Sequence, residues 1–378
     1  MTIYFVAGEV SADNHGAALM RSLRELNVEL KFVGRGGPQM QKIAGGQFKN
    51  WIGEAAVLGL WEVLRNYGYF RQQFGEALQE ILDRKPDAVV LIDYPGFNLR
   101  LARALRRQSP QQKIIYYISP QVWAWNRGRI KKMARFIDLV LCIFPFEADL
   151  YNQTGLRAVF VGHPMIERLR ARKIDTERDP NLVGLFPGSR SREVRKIFPV
   201  MLETARELQR HNPNLRFEVA AASAELAREM NPAVAALDQS EDRQAIEIKI
   251  DATATIMQRA WAGIVASGSA TLEAAYFRLP FVLIYKVAWP TYLAARLVVN
   301  VRYLGMPNLL ADKEVVPEFI QRRAKPTAIL KAVRPLVEDV HVRNRTISAF
   351  DEIISSLGDS GASERAARVI IEEIGSAT

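Results

Sequence analysis

Polar residues crowd into short stretches that each follow an apolar run. In Gly8-Glu9-Val10-Ser11-Ala12-Asp13-Asn14-His15-Gly16, two carboxylates, a hydroxyl and an imidazole stand close together. Such a set can exchange protons or bind hydroxyls, and Ser11 or Asp13 can equally cap the next helix. In Asp93-Tyr94-Pro95-Gly96-Phe97-Asn98, an acid ends the apolar run 89–92 with Pro and Gly beside it. Partial burial there raises a carboxyl pKa toward general-base duty, with helix capping as the competing use. The second half holds Gly188-Ser189-Arg190 and Ser267-Gly268-Ser269-Ala270-Thr271-Leu272-Glu273, each after an apolar run. Backbone N–H groups at a helix start, with the helix dipole, favour phosphate. Arg190 adds a bidentate donor. Glu273, read in the first turn, can accept two ribose hydroxyls or complement the dipole. Two anion-ready helix starts point to a diphosphate ligand. No Asp-x-Asp pair occurs, and the four histidines (His15, His163, His211, His341) are scattered, so neither a metal site nor a cofactor is expected.

The elements that must position these residues alternate in type. Short strands are predicted at Ile3–Ala7, Lys31–Gly34, Ala88–Ile92, Lys113–Ile118, Leu139–Ile143 and Ala158–Val161. The second half adds Leu182–Phe186, Phe217–Ala222, Ile246–Ile250, Ala262–Ala266 and Phe281–Tyr285. Many are β-branched runs without polar alternation, which suits strands buried on both faces of a parallel sheet. Helical periods such as 16–26, 70–82 and 193–210 lie between them. The rhythm predicts an α/β chain of two doubly wound parallel-sheet domains. In such sheets ligands bind beyond the carboxyl ends of the strands, where these polar stretches fall. The charge-dense 170–179 marks the boundary, giving domains 1–170 and 171–345, followed by C-terminal helices over 346–378. These helices are expected to pack back on the N-terminal domain or on a partner subunit.

The 378 residues, 49% hydrophobic and 24% charged, exclude global disorder. A single cysteine excludes an internal disulfide, and no Cys/His cluster has zinc spacing. The N-terminus enters a strand-like segment with no basic leader. The longest runs without Asp, Glu, Lys or Arg, 114–126 and 260–272, fall short of the roughly 18 apolar residues of a membrane span. Of the net +10, residues 1–170 carry +8, which suggests a polyanionic partner or simply solubility. Five basic residues in 127–135 follow Trp123 and Trp125. Two apolar aromatic stretches remain: 57–82, with Trp61, Leu64 and Phe70, and 287–303. Each suits interfacial docking on a bilayer or core packing.

Taken together, Ala7-Gly8-Glu9-Val10-Ser11-Ala12-Asp13, Ile92-Asp93-Tyr94-Pro95-Gly96-Phe97-Asn98, Ser119-Pro120-Gln121-Val122-Trp123-Ala124-Trp125, Gly162-His163-Pro164, Pro187-Gly188-Ser189-Arg190, Ser267–Glu273 and Pro307-Asn308-Leu309-Leu310-Ala311 resemble the lipid-A-disaccharide synthase family in order and spread. Ala12 stands where the family's second glycine is usual, and Gly96 where its second Asp is usual. The resemblance implies a GT-B glycosyltransferase, two Rossmann-like domains facing a cleft. It implies UDP-2,3-diacylglucosamine as donor and 2,3-diacylglucosamine 1-phosphate (lipid X) as acceptor. The product would be a β-1,6-linked disaccharide phosphate with inversion, plus UDP. It also implies work on the cytoplasmic face of the inner membrane of Gram-negative bacteria, and a homodimer. On this reading Asp93 is the base, with Glu9 or His15 as runner-up. Ser11 and Asn98 contact substrate, and Gly188, Ser189, Arg190, Gly268 and Ser269 hold the diphosphate. Glu273 holds the ribose, and Asn308 makes a donor-side polar contact. The basic N-terminal half and Trp-rich loops take the acceptor's phosphate and acyl chains. Three other readings carry different expectations. A UDP-sugar epimerase of the same fold leaves the apolar stretches without a purpose. A nucleic-acid binder explains pI 9.7 but has no recognised motif, so no nucleic acid is expected. An NAD dehydrogenase lacks its G-x-G-x-x-G fingerprint.

Overall fold

The computed structural model describes residues 1–52, 67–121, 123, 128–238, 246–289, 292–293, 296 and 301–375. They form two compact units, 1–167 with 357–378, and 168–356.

The first unit runs β1 (Thr2–Ala7), α1 (Val10–Leu26), β2 (Lys31–Gly36), α2 (Pro38–Ala44), β3 (Phe48–Asn50) and α3 (Tyr67–Arg84). It continues with β4 (Ala88–Ile92), α4 (Pro95–Gln108), β5 (Ile114–Tyr117), α5 (Gly128–Met133), β6 (Leu139–Cys142), α6 (Pro145–Asn152), β7 (Ala158–Phe160) and α7 (Met165–Arg170). All its strand pairs are parallel, in the order β3-β2-β1-β4-β5-β6-β7. Successive side chains of a strand enter opposite cores: Tyr4 and Val6 one, Ile3, Phe5 and Ala7 the other. Both faces are covered, hence the unbroken apolar runs.

The second unit has β8 (Asp179–Phe186), α8 (Ser191–His211), β9 (Arg216–Ala221), α9 (Ala224–Asp238), β10 (Ile246–Ile250), α10 (Thr253–Arg259), β11 (Ala260–Ala266) and α11 (Ser269–Tyr276). Then come β12 (Phe281–Tyr285), α12 (Met306–Ala311), β13 (Glu318–Ile320), α13 (Pro326–Glu338) and α14 (Val340–Ser356). The strand order β10-β9-β8-β11-β12-β13, again all parallel, repeats the first unit's winding. Each sheet therefore reverses direction once, at β1/β4 and at β8/β11. Ligands of doubly wound sheets collect at such points.

The second unit extends through α14. Only the last helix, α15 (Ala362–Gly375), returns to the first unit. Its Ala366, Ala367, Ile370 and Ile374 join the core beneath α1. Glu373, nearly fully buried, is paired by Lys113 at 2.8 Å and by Arg157. Among the described residues no helix is long and apolar enough to cross a membrane.

Candidate active site

The first switch point brings the loops after β1 and β4 together. Asp93 and Tyr94 both adopt left-handed backbone, φ 47° each, and α4 starts at Pro95, whose fixed φ suits a first helical position. Gly8 makes this approach feasible. A Cβ there would lie 2.4 Å from the Tyr94 ring, so only glycine lets the ring pack over the β1 loop. The Asp93 backbone is held from several sides. Its N–H donates to Tyr117 O at 3.1 Å, and its carbonyl accepts from Tyr116 Oη at 2.5 Å and from Asn98 Nδ2 at 2.8 Å. The carboxyl is half-buried. Burial, and secondarily the charge of Glu9, push its pKa from 3.8 up to about 6. A carboxylate so raised is ionised at neutral pH yet basic enough to take a proton.

Several expected roles change here. Asn98 is fully buried and also donates to Ile92 O at 3.2 Å, so it positions the strand end and faces no solvent. Asp13 caps the start of α2, not its own helix: its carboxylate accepts from the backbone N–H of Gly37, Gln39 and Met40 at 2.9–3.0 Å. Ala12 lies inside α1, where an ordinary helical residue serves and no glycine is needed. Glu9 and Ser11 are exposed at the start of α1, and His15 is half-buried one turn on.

Aromatic side chains wall a space that Tyr94, next in sequence to Asp93, helps to line. A cavity of about 460 Å³ is lined by Phe70, Phe74, Tyr94, Phe97, Arg71 and Arg100, with Gly96 opening onto it. Trp51 braces this wall, 5.0 Å from Phe97 and 6.1 Å from Tyr94, and donates its indole N–H to Ala7 O at 2.6 Å. Phe74, Leu78 and Ile81 belong to the core, whereas Phe70 stays half-exposed at the cavity. Trp61 and Leu64 lie outside the described residues, as does Trp125. Trp123 is buried against Phe146. It is thus a core residue, contrary to its expected place on an acceptor-facing loop. In the other apolar stretch, Trp289 and Leu293 are exposed, and Arg322 stacks over the Trp289 ring at 4.9 Å.

Glu147 and Arg35 are among the buried ionisable residues that the sequence reading did not single out. Glu147 accepts from Ser119 Oγ at 3.0 Å, Trp123 Nε1 at 2.8 Å and Phe144 N–H at 3.3 Å. Burial pushes its pKa up to about 7. Glu147 reaches back to the N-cap N–H of Phe144 at the start of α6, but with no Ser or Thr at the cap the sequence Phe144-Pro145-Phe146-Glu147 does not announce it. Arg35, fully buried in β2, pairs with Glu80 at 2.9 Å and lies 5.9 Å from the Trp51 ring centre. Nothing in the strand-like 31–36 announces that it is interior.

In the second unit the loops after β8 and β11 adjoin. Gly188 has φ +103° and Gly268 φ +148°, and a Cβ on Gly188 would lie 3.7 Å from Ala266 Cβ. Ser189 and Arg190 are exposed before α8, with Arg190 Nη1 3.1 Å from Glu193 Oε1. Gly268 and Ser269 are exposed at the start of α11. Glu273 stands in the second turn of α11, not the first, because the helix begins at Ser269; its Oε1 accepts from Arg168 Nη2 at 2.9 Å. Asn308 is fully buried. Its Nδ2 donates to Val316 O and Glu318 Oε1, and its Oδ1 accepts from Val315 and Val316 N–H, all at 2.7–2.9 Å. No polar valence is left for a direct donor contact, so Asn308 is a clasp for the 306–318 loop. His163 likewise serves the backbone, its Nδ1 accepting from Met165 N–H at 3.2 Å. Among the described residues no three His, Cys, Asp or Glu side chains gather as metal ligands would.

The sequence profile of the lipid-A-disaccharide synthetase family matches residues 3–370. The chain belongs to this family. A lipid-A-disaccharide synthase of Geobacter sulfurreducens is 38% identical over 99% of this chain and 97% of its own length. One of Acidobacterium capsulatum is 37% identical over 96% and 93%. Solved structures share the fold at low identity. The calicheamicin glycosyltransferase superposes with TM-score 0.60 at 14% identity, covering 99% of this chain and 98% of that one. A UDP-GlcNAc 2-epimerase of Methanocaldococcus jannaschii gives 0.59 at 12%, covering 98% and 100%. The fold is thus GT-B, and the epimerase likeness is one of fold alone. Membership makes the chain a glycosyltransferase of lipid A biosynthesis, which sets aside the epimerase and dehydrogenase readings.

Proposed function

We propose that the enzyme joins UDP-2,3-diacylglucosamine to 2,3-diacylglucosamine 1-phosphate with inversion, giving the β-1,6 disaccharide 1-phosphate and UDP. The observation that carries this reading is Asp93: a half-buried carboxyl at the first switch point, pKa about 6, whose neighbour Tyr94 lines an aromatic-walled cavity. Asp93 takes the proton of the acceptor's 6-hydroxyl as that oxygen attacks the anomeric carbon of the donor. The bond from that carbon to the UDP oxygen breaks, and its electron pair leaves on the diphosphate. Arg190 and the helix starts at Gly188-Ser189 and Gly268-Ser269 take up the new negative charge. Glu273, with one carboxylate oxygen on Arg168, offers the other to the ribose hydroxyls. Ser11 and Glu9 line the acceptor side, Asn98 and Asn308 position the loops, and His15 is the base to try if Asp93 fails.

The aromatic cavity supports an acylated acceptor, and Trp61, Leu64 and Phe70 are assigned to the bilayer. The enzyme then works as a peripheral protein on the cytoplasmic face of the inner membrane, as a homodimer, without a cofactor and without nucleic acid. The decisive experiment is UDP release from purified enzyme given both lipids. Release that requires lipid X supports the reading. Release without acceptor, or none with both substrates, overturns it. Replacing Trp61, Leu64 and Phe70 by Ser should reduce sedimentation with anionic vesicles while the thermal transition persists. Unchanged sedimentation of the folded variant removes this patch from the docking surface.

A further inference from the structure

A second cavity in the first unit, about 580 Å³, starts at Pro95 and Gly96, two residues beyond Asp93 in sequence, and follows α4. Among the described residues six arginines and one lysine line it, and no acidic side chain does. Arg106 is committed to the fold through Asp138 at 2.6 Å and the carbonyls of Pro110 and Gln112. Arg100, Arg103 and Arg107 are exposed along α4, with Lys132 and Arg135 exposed on the opposite wall. Like charges at three- and four-residue spacing disfavour the helix that carries them. A fold that gathers them in one groove whose described lining holds no acid, with Asp138 bound to Arg106, is arranged for an anion. Leu99, Met133 and Phe136 supply an apolar floor beneath. Gly96 and Arg100 also line the aromatic cavity. The two spaces thus meet one helical turn from Asp93, one apolar and one cationic. A ligand that fills both is an amphiphile with an anionic head and a hydroxyl between. A nucleic-acid strand would want a row of stacking aromatics, and among the described residues the groove's lining has one, Phe136.

We propose that this groove seats the phosphomonoester of the acceptor, with Arg100, Arg103 and Lys132 as its ligands. The inference rests on the acceptor reading above and adds the place and the residues of phosphate recognition. A phosphomonoester carries about −1.5 to −2 charges near pH 7, and arginine grips it by two parallel N–H bonds.

The test uses the full chain in neutral detergent micelles, where no anionic surface is present. UDP release is measured against lipid X and against its dephosphorylated counterpart. For R100S/R103S/K132S the KM for lipid X should rise about tenfold to a hundredfold, with kcat within about threefold. Turnover of the dephosphorylated acceptor should move by less than about threefold. R100K/R103K should recover most of the loss, since charge returns. Raising salt from about 50 to about 500 mM should raise the wild-type KM for lipid X and hardly affect the triple variant. Equal losses on both acceptors, or no loss, overturn the proposal. So does a loss seen only with anionic vesicles, which makes the groove a membrane-surface site. Calorimetric binding of monododecyl phosphate reads the groove without catalysis. At least tenfold weaker binding by the triple variant supports the groove even if wild-type enzyme releases no UDP, in which case only the acceptor reading fails. Equal binding by both proteins overturns it.

Discussion

Asp93→Asn should lower activity and raise stability, and the second effect should depend on pH. Folding lifts the Asp93 carboxyl from 3.8 to about 6, first through burial and second through Glu9. Below about pH 4 the group is protonated in both folded and unfolded chains and contributes nothing. Between 4 and 6 the unfolded carboxyl ionises while the folded one resists, so the unfolded state gains. Above 6 the native state carries a charge its surroundings disfavour. At 1.36 kcal/mol per pH unit the full cost is about 3 kcal/mol, and partial exposure lowers it to about 1–3 kcal/mol. Asparagine has nearly the same shape and never ionises, so it removes that cost. At about 2–4 °C per kcal/mol for a unit of this size, the first unit's Tm should rise by roughly 2–12 °C at pH 8. The gain should vanish near pH 4. Turnover should fall by roughly 10²–10⁴, the usual worth of a general base. Calorimetric melts from pH 4 to 8 beside UDP-release rates measure both. A variant that turns over at near wild-type rate at pH 7.5, or whose Tm difference does not grow with pH, refutes the assignment of Asp93 as a strained base. A carboxylate kept only for structure would give the opposite sign of stability change.

Glu9→Gln removes the second cause of the Asp93 elevation, so the acid limb of the kcat/KM profile should move to lower pH; an unmoved limb separates the two carboxylates. Arg190→Ala should weaken UDP binding about tenfold to a hundredfold by calorimetry, from a lost charge-assisted contact, and leave the melt unchanged because the side chain is exposed. EDTA should leave wild-type turnover intact, whereas loss restored by Mg²⁺ or Mn²⁺ would overturn charge stabilisation by Arg190 and backbone alone. Glu147→Ala strands the Ser119 hydroxyl, the Trp123 indole N–H and the Phe144 N–H, which should cost roughly 3 kcal/mol in urea unfolding. Asn308→Ala breaks four buried hydrogen bonds and should cost roughly 2–4 kcal/mol by the same measurement, with loss of activity following loss of fold.

What the sequence made legible follows from pattern length. Runs such as 88–92 and 139–142 are buried on both faces and so unbroken by polar residues, which identifies parallel strands directly. The edges β3 and β13 span three residues each and are too short to show any period. Asp93 stood out because an acid that ends such a run falls on the rim where doubly wound sheets bind ligands. Glu273 was placed a turn early because Gly268, Ser269 and Thr271 all resemble helix-start residues, and only the backbone fixes where α11 begins. Asn308 and Asn98 have side chains that suit a ligand as well as a backbone carbonyl. Their burial decides between the two, and burial depends on residues far away in the chain. The cationic groove was half visible. Its far wall lies in the basic run after Trp125, but the facing arginines of α4 look like a solvated helix until the two elements are set side by side.

The backbone around Asp93 explains why so much of the surrounding sequence is structural. Asp93, Tyr94 and Ile118 all lie in the left-handed region, at the ends of the neighbouring strands β4 and β5. For residues with a Cβ this conformation costs roughly 1–2 kcal/mol each, and a β-branched isoleucine tolerates it least. Glycine at these positions would avoid the strain, yet it would remove the carboxyl, the ring that packs on Gly8, and a side chain packed against the inner core. The strain is therefore held by added bonds. Asp93 N–H binds Tyr117 O, Ile118 N–H binds Leu141 O at 3.1 Å, and Tyr116 with Asn98 binds the Asp93 carbonyl. These partners are buried inside the sheet or beneath α4, where they do not move with solvent. On the role proposed for Asp93, a carboxyl anchored through its own backbone keeps its orientation while burial, opposed by a backbone hydrogen bond from Tyr94, holds its pKa up. The same turn starts α4, whose Gly96 and Arg100 line both the aromatic cavity and the cationic groove. Position, basicity and ligand access thus come from one local conformation, and the residues that maintain it need never touch the substrate.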